Sequence, residues 1–246
     1  MQGHGGIVAV TCLAMEARIA SGPGVSVVCN QGPDLVPVLE RAIERRPAGI
    51  ISFGIAGGLG HGLLAGSWVV GCGIRTHREF YRTDSSWMRQ LLKNLPGAIA
   101  GEIFGVDAPV VTAAEKRRLH QQTGALAVDM ESHIAARIAA SRFIPFAACR
   151  VIIDPVYHDL PAAALVGLRP NGTPDLRAVC ASVARQPSQL ARLARTALDA
   201  RTATLALYRG RRLLGHGLAY PYADSRDSVV TAPTRSGEPA MPLPVT

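Results

Sequence analysis

Seven short apolar runs, at residues 7–12, 25–29, 49–53, 67–74, 98–104, 125–128 and 146–153, are bounded by glycine, proline or polar turn residues. Helical stretches lie between several of them. Strands that alternate with helices pack as a mostly parallel or mixed sheet covered on both faces, so the expected fold is a single α/β domain over residues 1–220. A chain of 246 residues that is 48% hydrophobic has enough apolar surface for one such core. Helix boundaries are marked locally: Asp34 is placed to cap a helix through Arg45, Asp84 another through Leu95, and Thr112-Ala113-Ala114-Glu115 is a capping-box pattern closed by Gly124.

The C-terminal part differs. Over residues 187–210 a helix is expected to pack through Leu190, Leu193, Ala197, Ala200, Thr204 and Leu207, with Arg192, Arg195 and Asp199 turned away. From Ser225 onward the chain is rich in Pro, Ser, Thr and Gly and reads as a disordered tail over 225–246.

Composition excludes several functions. The five cysteines (Cys12, Cys29, Cys72, Cys149, Cys180) are scattered without C-x-x-C spacing, so neither a disulfide framework nor a zinc site is indicated, and a cytoplasmic location is expected. No apolar run reaches the roughly 18 residues that span a bilayer, and the opening segment lacks a basic leader. The net charge of +8 raises the question of nucleic acid. Basic residues are mostly single and aromatics are only 5%, which does not make the stacking-rich stripe of a single-strand binder. Arg209, Arg211 and Arg212 beside Leu213 and Leu214 offer a peripheral contact with anionic lipid, or simply a solvated helix end.

The chemistry gathers where strands end. The run Ala127-Val128-Asp129-Met130-Glu131-Ser132 puts two carboxylates at a strand-to-helix junction, and in an α/β sheet ligands bind in the crevice beyond such ends. Either residue could instead be an ordinary helix cap. Glu16, Glu131 and Asp154 each stand just past an apolar run, so these three carboxylates, distant in sequence, are candidates for one crevice. Gly54-Ile55-Ala56-Gly57-Gly58-Leu59-Gly60 follows a buried strand but fails the dinucleotide pattern, since residue 56 is not glycine. It reads as a ligand-facing turn whose glycines admit close backbone approach. His133, His158 and the Arg78, Tyr81, Arg82 group, placed in a loop, carry weaker signals.

Together Phe53-Gly54-Ile55-Ala56-Gly57-Gly58-Leu59, Val128-Asp129-Met130-Glu131 and Arg150-Val151-Ile152-Ile153-Asp154 resemble the nucleoside phosphorylase and adenosine-type nucleosidase superfamily over approximately residues 5–215. A closer resemblance, to the hopanoid-associated phosphorylase branch, rests on Glu16-Ala17-Arg18-Ile19-Ala20, the extension of the Glu131 motif through Arg137, Ala164-Leu165-Val166-Gly167-Leu168-Arg169-Pro170 and the helix at 189–201. The resemblance implies release of adenine from adenosylhopane, with methylthioadenosine or adenosylhomocysteine nucleosidase and a non-catalytic purine- or lipid-binding protein as alternatives. It implies Asp154 as the acid for the departing adenine, Glu16 as the residue that activates water, Glu131 as the ribose anchor, and Met130, Ile55, Ala56, Gly57 and Ile153 as substrate-lining residues. No metal or organic cofactor is implied, phosphate is possible as co-substrate, and a homo-oligomer is expected.

This chain departs from related nucleosidases in carrying Ile55 and Ile153 where they have serine, which would make the surroundings of Asp154 more apolar. Water or phosphate as nucleophile is left open. The strand before the glycines offers Ile51, Ser52 and Phe53 and no arginine, while Arg18 or the segment Arg75-Thr76-His77-Arg78 could supply an anion site.

Overall fold

The computed structural model describes residues 5–161, 181–182, 185–186 and 190–222. The 164–170 motif, Cys180 and the expected tail lie outside the described residues. Eight strands form one sheet: β1 (Ile7–Thr11), β2 (Val25–Cys29), β3 (Gly49–Gly58), β4 (Trp68–Arg75), β5 (Phe80–Arg82), β6 (Ile99–Gly105), β7 (Ala127–Asp129) and β8 (Phe146–Asp154). Around them lie helices α1 (Ala14–Ala20), α2 (Leu35–Ile43), α3 (Ser85–Asn94), α4 (Ala113–Thr123), α5 (Ser132–Ser141) and α6 (Leu190–Leu214).

The strand order is β2-β1-β3-β7-β6-β4-β5, and β8 pairs with both β3 and β4. Pairing is parallel for β1 with β2 and β3, for β3 with β8, and for β6 with β4 and β7; it is antiparallel for β3 with β7 and for β4 with β5 and β8. The mixed, mostly parallel α/β domain expected from the alternation of runs is therefore the fold observed. Its central strands are apolar on both faces because helices cover both. Along β3 and β8 the side chains divide by period two: Ile50, Phe146, Ala148 and Ile152 join the core under α2 and α5, while Ile51, Phe53, Ala147, Cys149 and Val151 join the core that also holds Trp87, Leu91 and Leu207.

Local signals set several boundaries as expected. The Asp84 carboxylate accepts from the Trp87 amide at 2.8 Å, the Thr112 hydroxyl accepts from the Glu115 amide at 3.2 Å, and Gly124 closes α4 at φ 72°. Asp34 does not cap. It ends a 3-10 turn (Gly32–Asp34) that leads into α2 with its own backbone already helical. The stretch from Gly54 is not a turn either, since β3 continues to Gly58 with partners on both edges. Residues 80–82 form the edge strand β5 where a loop was expected, leaving Phe80 and Arg82 exposed.

Helix α6 buries a stripe that overlaps the expected one at Leu207, and partly at Leu193, Ala200 and Thr204, but is rotated from it elsewhere. Ala203, Leu207, Gly210, Arg211 and Leu214 are buried, whereas Leu190 is exposed and Asp199 turns inward to the His158 ring at 3.2 Å. Spacings of three and four recur on neighbouring faces of one helix, so spacing alone did not identify the packed face. Arg211 is held by the carbonyls of Ala20 at 2.9 Å and Gly215 at 2.7 Å, joining the ends of α1 and α6 rather than meeting a lipid surface. Gly210 allows α6 to lie against the sheet: an added Cβ would stand 2.2 Å from the Trp68 ring. Alanine for glycine inside a helix ordinarily stabilises by about 0.5–1 kcal/mol. Gly210→Ala is expected to do the reverse, lowering the urea-unfolding free energy by about 1–3 kcal/mol through overpacking, and a stabilised variant would show that this contact does not set the packing distance.

Candidate active site

Arg150 enters the sheet from β8 with no exposed surface, at a position where an apolar strand would ordinarily carry a hydrophobic residue. A buried guanidinium persists only when carboxylates and hydrogen-bond acceptors surround it. Its Nη2 lies 2.5 Å from Asp129 Oδ2 and 3.8 Å from Glu131 Oε2, and donates to the Ser52 hydroxyl at 2.6 Å and the Ser132 hydroxyl at 3.3 Å. Burial works against its charge, but Asp129, Glu131 and Glu16 more than offset this and raise its pKa further.

The junction that ends β7 separates the two acidic residues by role. Asp129 accepts from the Ser132 amide at 3.2 Å and from the Ser132 hydroxyl, and so secures the first turn of α5. Glu131 makes no capping bond. It is buried, and its Oε1 has no N–H or O–H donor among the described residues. The Cys12 thiol interacts with the Glu131 carboxylate and is kept protonated by burial and by Glu131 and Glu16. Burial first, then Asp129 and Glu16, outweigh Arg150 and push the Glu131 pKa up to about 7.

Glu16 reaches the same cluster from the first turn of α1. Its Oε2 accepts from the amides of Cys12 and Leu13, both at 2.8 Å, and Oε1 accepts from the Ile55 amide at 2.7 Å. Burial still raises its pKa against Arg150 and those three N–H groups. Gly54 makes the approach possible. At φ 155° an added Cβ would meet Glu16 Oε1 at 2.3 Å and Arg150 Nη1 at 2.8 Å, so only a residue without a side chain leaves room for both groups.

Asp154 ends β8, the strand that carries Arg150, and β3 lies between it and the end of β7 that leads to Glu131. Gly57 pairs with Val128 of β7 on one edge and with Asp154 of β8 on the other, and the register shift beyond Ala56 leaves Ile153 as an extra residue. Such a bulge re-aims the side chain that follows it. Asp154 Oδ2 accepts from Lys116 Nζ, which also donates to the carbonyls of His158 at 2.8 Å and Pro155 at 3.3 Å. Burial raises the Asp154 pKa and Lys116 opposes the rise, while burial lowers that of Lys116. The environment of Asp154 therefore includes a buried cation that an account based on Ile55 and Ile153 omits. Ile55, Met130 and Ile153 are half-buried and Ala56 is buried.

Glu16, Glu131 and Arg150 are thus drawn together, with Asp154 at the end of the strand that carries Arg150. The candidate anion groups fall outside this cluster. Arg18 is exposed, and Arg75 is paired with Glu102 at 2.5 and 2.9 Å beside a cavity of about 450 Å³ lined by Thr76, His77, Phe104, Gln122 and Thr123. His133 turns to Asp107 at 3.2 Å. Arg150 was the residue to suspect from sequence, as a lone charge in a run too apolar to be solvated. Lys116 gave no such signal, because lysine is ordinary in a polar helix.

Residues 10–185 match the family model described as the phosphorylase superfamily. Among solved structures, the 5'-methylthioadenosine/S-adenosyl homocysteine nucleosidase of Helicobacter pylori superposes with TM-score 0.61 at 14% identity, covering 87% of this chain and 97% of that one. The futalosine hydrolase of Helicobacter pylori gives 0.57 at 14% identity over 85% and 97% of the two chains. The 5'-methylthioadenosine/S-adenosylhomocysteine nucleosidase of Neisseria meningitidis gives 0.57 at 15% identity over 83% and 96%. No protein of curated function matches the chain.

The raised Glu131 pKa has a defined sign for stability. The folded chain holds this proton up to about pH 7, whereas a free glutamate releases it near pH 4.5, so stability is lost as pH rises between these values and the cost persists above them. Glu131→Gln is expected to unfold at a higher temperature than the parent at pH 8, by about 1–3 kcal/mol in free energy, with a much smaller gain at pH 5. Equal effects at both pH values would show that burial of the charge is not what raises the pKa.

Proposed function

Because the chain belongs to the phosphorylase superfamily, we propose that it cleaves the N-glycosidic bond of an adenine nucleoside, with adenosylhopane as the substrate and ribosylhopane as the sugar product. The observation that carries this reading is the unpaired Oε1 of buried Glu131, held beside Arg150 at a strand end and free to accept from a ribose hydroxyl. Cleavage builds positive charge on the sugar and negative charge on the departing purine. A carboxylate fixed under the sugar stabilises the first, and a proton from Asp154 neutralises the second.

Water is the nucleophile this electrostatic balance favours. Among the described residues, the buried cation beside Glu131 is Arg150, which already faces Asp129, Glu131 and Glu16, so a phosphate dianion would find no unmatched positive charge in this cluster. Glu16, with its pKa raised by burial, is suited to take a proton from water. Adenine is expected to be released from adenosylhopane at the same rate with and without phosphate, and Asp154→Asn is expected to lower that rate by about 10²–10⁴-fold with the fold intact. Following free base and sugar product with adenosylhopane, methylthioadenosine and inosine tests this reading. A phosphorylated sugar would overturn hydrolysis, preference for methylthioadenosine would move the assignment to that nucleosidase class, and no release from any nucleoside would leave a binding protein.

An amphiphilic substrate also calls for a route from lipid. On α6, Leu190, Leu198, Leu205, Tyr208 and Leu213 are exposed among the exposed Arg201, Arg209 and Arg212, and the helix's one carboxylate, Asp199, bonds to His158. This basic and apolar surface fits an anionic bilayer. Among the described residues, no helix is long and apolar enough to cross a membrane. The protein is expected to sediment with vesicles containing anionic phospholipid and not with zwitterionic ones, and the triple variant Arg201→Glu, Arg209→Glu, Arg212→Glu is expected to lose this binding. Unchanged sedimentation of that variant would remove α6 from the membrane reading.

A further inference from the structure

Lys116 is fully buried, and its ammonium spends its three N–H bonds on Asp154 Oδ2 and on the carbonyls of Pro155 and His158. It projects from α4, a helix otherwise rich in solvated polar residues. Two further bonds tie the start of α4 to the same loop: the Ala113 amide donates to Asp159 Oδ1 at 2.7 Å, and the Leu160 amide donates to the Val111 carbonyl at 2.9 Å. The loop after β8 is thus fastened to α4, with Lys116 at its buried end. Asp154 Oδ1 accepts no hydrogen bond from a described residue, which makes it the oxygen able to face a ligand.

We propose that Lys116 is a positioning residue for departure of the base: it grips Asp154 by Oδ2, so that Oδ1 carries the proton, and its ammonium faces the carboxylate that proton transfer leaves behind. This rests on the nucleosidase reading above. In the step, the O–H bond of Asp154 breaks and its proton joins a ring nitrogen of the purine, while the bond between the sugar and the purine breaks with its electron pair passing to the purine. Water adds to the sugar carbon and gives its proton to Glu16. Asp154 has then lost one proton and Glu16 has gained one, and the new carboxylate stands in a buried site against a fixed positive charge. Without Lys116 that carboxylate would be formed by a buried group without its cation, which disfavours the transfer.

The groups facing Asp154 are Lys116 from α4, His158 from the following loop and Asp199 from α6. Lys116 and His158 lower its pKa, while burial and Asp199 raise it. Removing Lys116 therefore shifts the pKa upward, and an activity that needs protonated Asp154 keeps its alkaline limb to higher pH.

The test compares wild type, Lys116→Gln and Lys116→Arg on an adenine nucleoside and on 4-nitrophenyl ribofuranoside, whose leaving group departs without a proton. Lys116→Gln is expected to lose at least about 30-fold in kcat on the nucleoside, to stay within about threefold of wild type on the nitrophenyl riboside, and to move the alkaline limb up by about one pH unit. Lys116→Arg is expected to restore the position of that limb. Lys116→Met replaces the glutamine variant if the latter does not fold. Equal losses on both substrates with an unmoved limb would reduce Lys116 to a structural ion pair and overturn the proposal. A wild type that releases base from no nucleoside would instead overturn the nucleosidase reading on which it rests.

Discussion

The Arg150 guanidinium is the charge around which the candidate site is organised. Moving a cation of this size out of water costs several kcal/mol even after the protein relaxes, and only close acceptors recover it. The chain supplies them from four elements: Ser52 from β3, Asp129 from β7, Ser132 from α5, and the more distant Glu131 and Glu16. Asp129 and Glu16 are themselves held by backbone amides. The demand for neutralisation therefore fixes β3, β7, β8 and the start of α5 relative to one another, and it gathers more carboxylate than one arginine can balance. The surplus shows on Glu131, whose pKa is raised by burial and by Asp129 and Glu16, whereas burial alone raises that of Glu16.

Gly57 separates this carboxylate-rich side from the Asp154 and Lys116 pair. The two halves suit opposite ends of one reaction. A sugar that becomes positive is served by anions without proton donors, whereas a departing base that becomes negative is served by a proton and then by a cation. Strand β3, hydrogen-bonded on both edges, lies between the end of β7 that leads to Glu131 and the end of β8 that carries Asp154.

Much of this was legible in the residue order. The alternation of apolar runs sufficed for the mixed α/β sheet, and the capping signals at Asp84, Thr112 and Gly124 were local enough to be read directly. The resemblance pointed to Glu16, Glu131 and Asp154 but did not separate Asp129 from Glu131 by geometry, because both occupy the kind of position that caps a helix. The difference lies in which carboxylate Ser132 and Arg150 engage, and those partners come from three-dimensional neighbours. Gly54 was read as part of a ligand-facing turn because a glycine-rich run after a buried strand admits close backbone approach; here the missing side chain clears space for Glu16 and Arg150 within a continuous strand. Lys116 could not be found by composition or periodicity, since only the loop after β8 makes its position in α4 exceptional.

Strand β8 has a consequence for how such a protein can change its substrate. It pairs with β3 on one edge and β4 on the other, which completes a circuit through β3, β7, β6, β4 and back to β8. A strand in a closed circuit cannot slide by two residues to widen the site without breaking register with both partners. The placement of Asp154 relative to the end of β7 that leads to Glu131 is therefore a fixed dimension of the frame, and on the proposed reading it spans the part of a ligand that does not vary. Adaptation to a longer or bulkier substituent is left to segments outside the circuit, namely the connection from Leu59 to Ser67, the stretch after Asp154, and α6 above them. Descendants of this chain could exchange what they recognise at the far end of a ligand while the distance across the reacting bond stays the same.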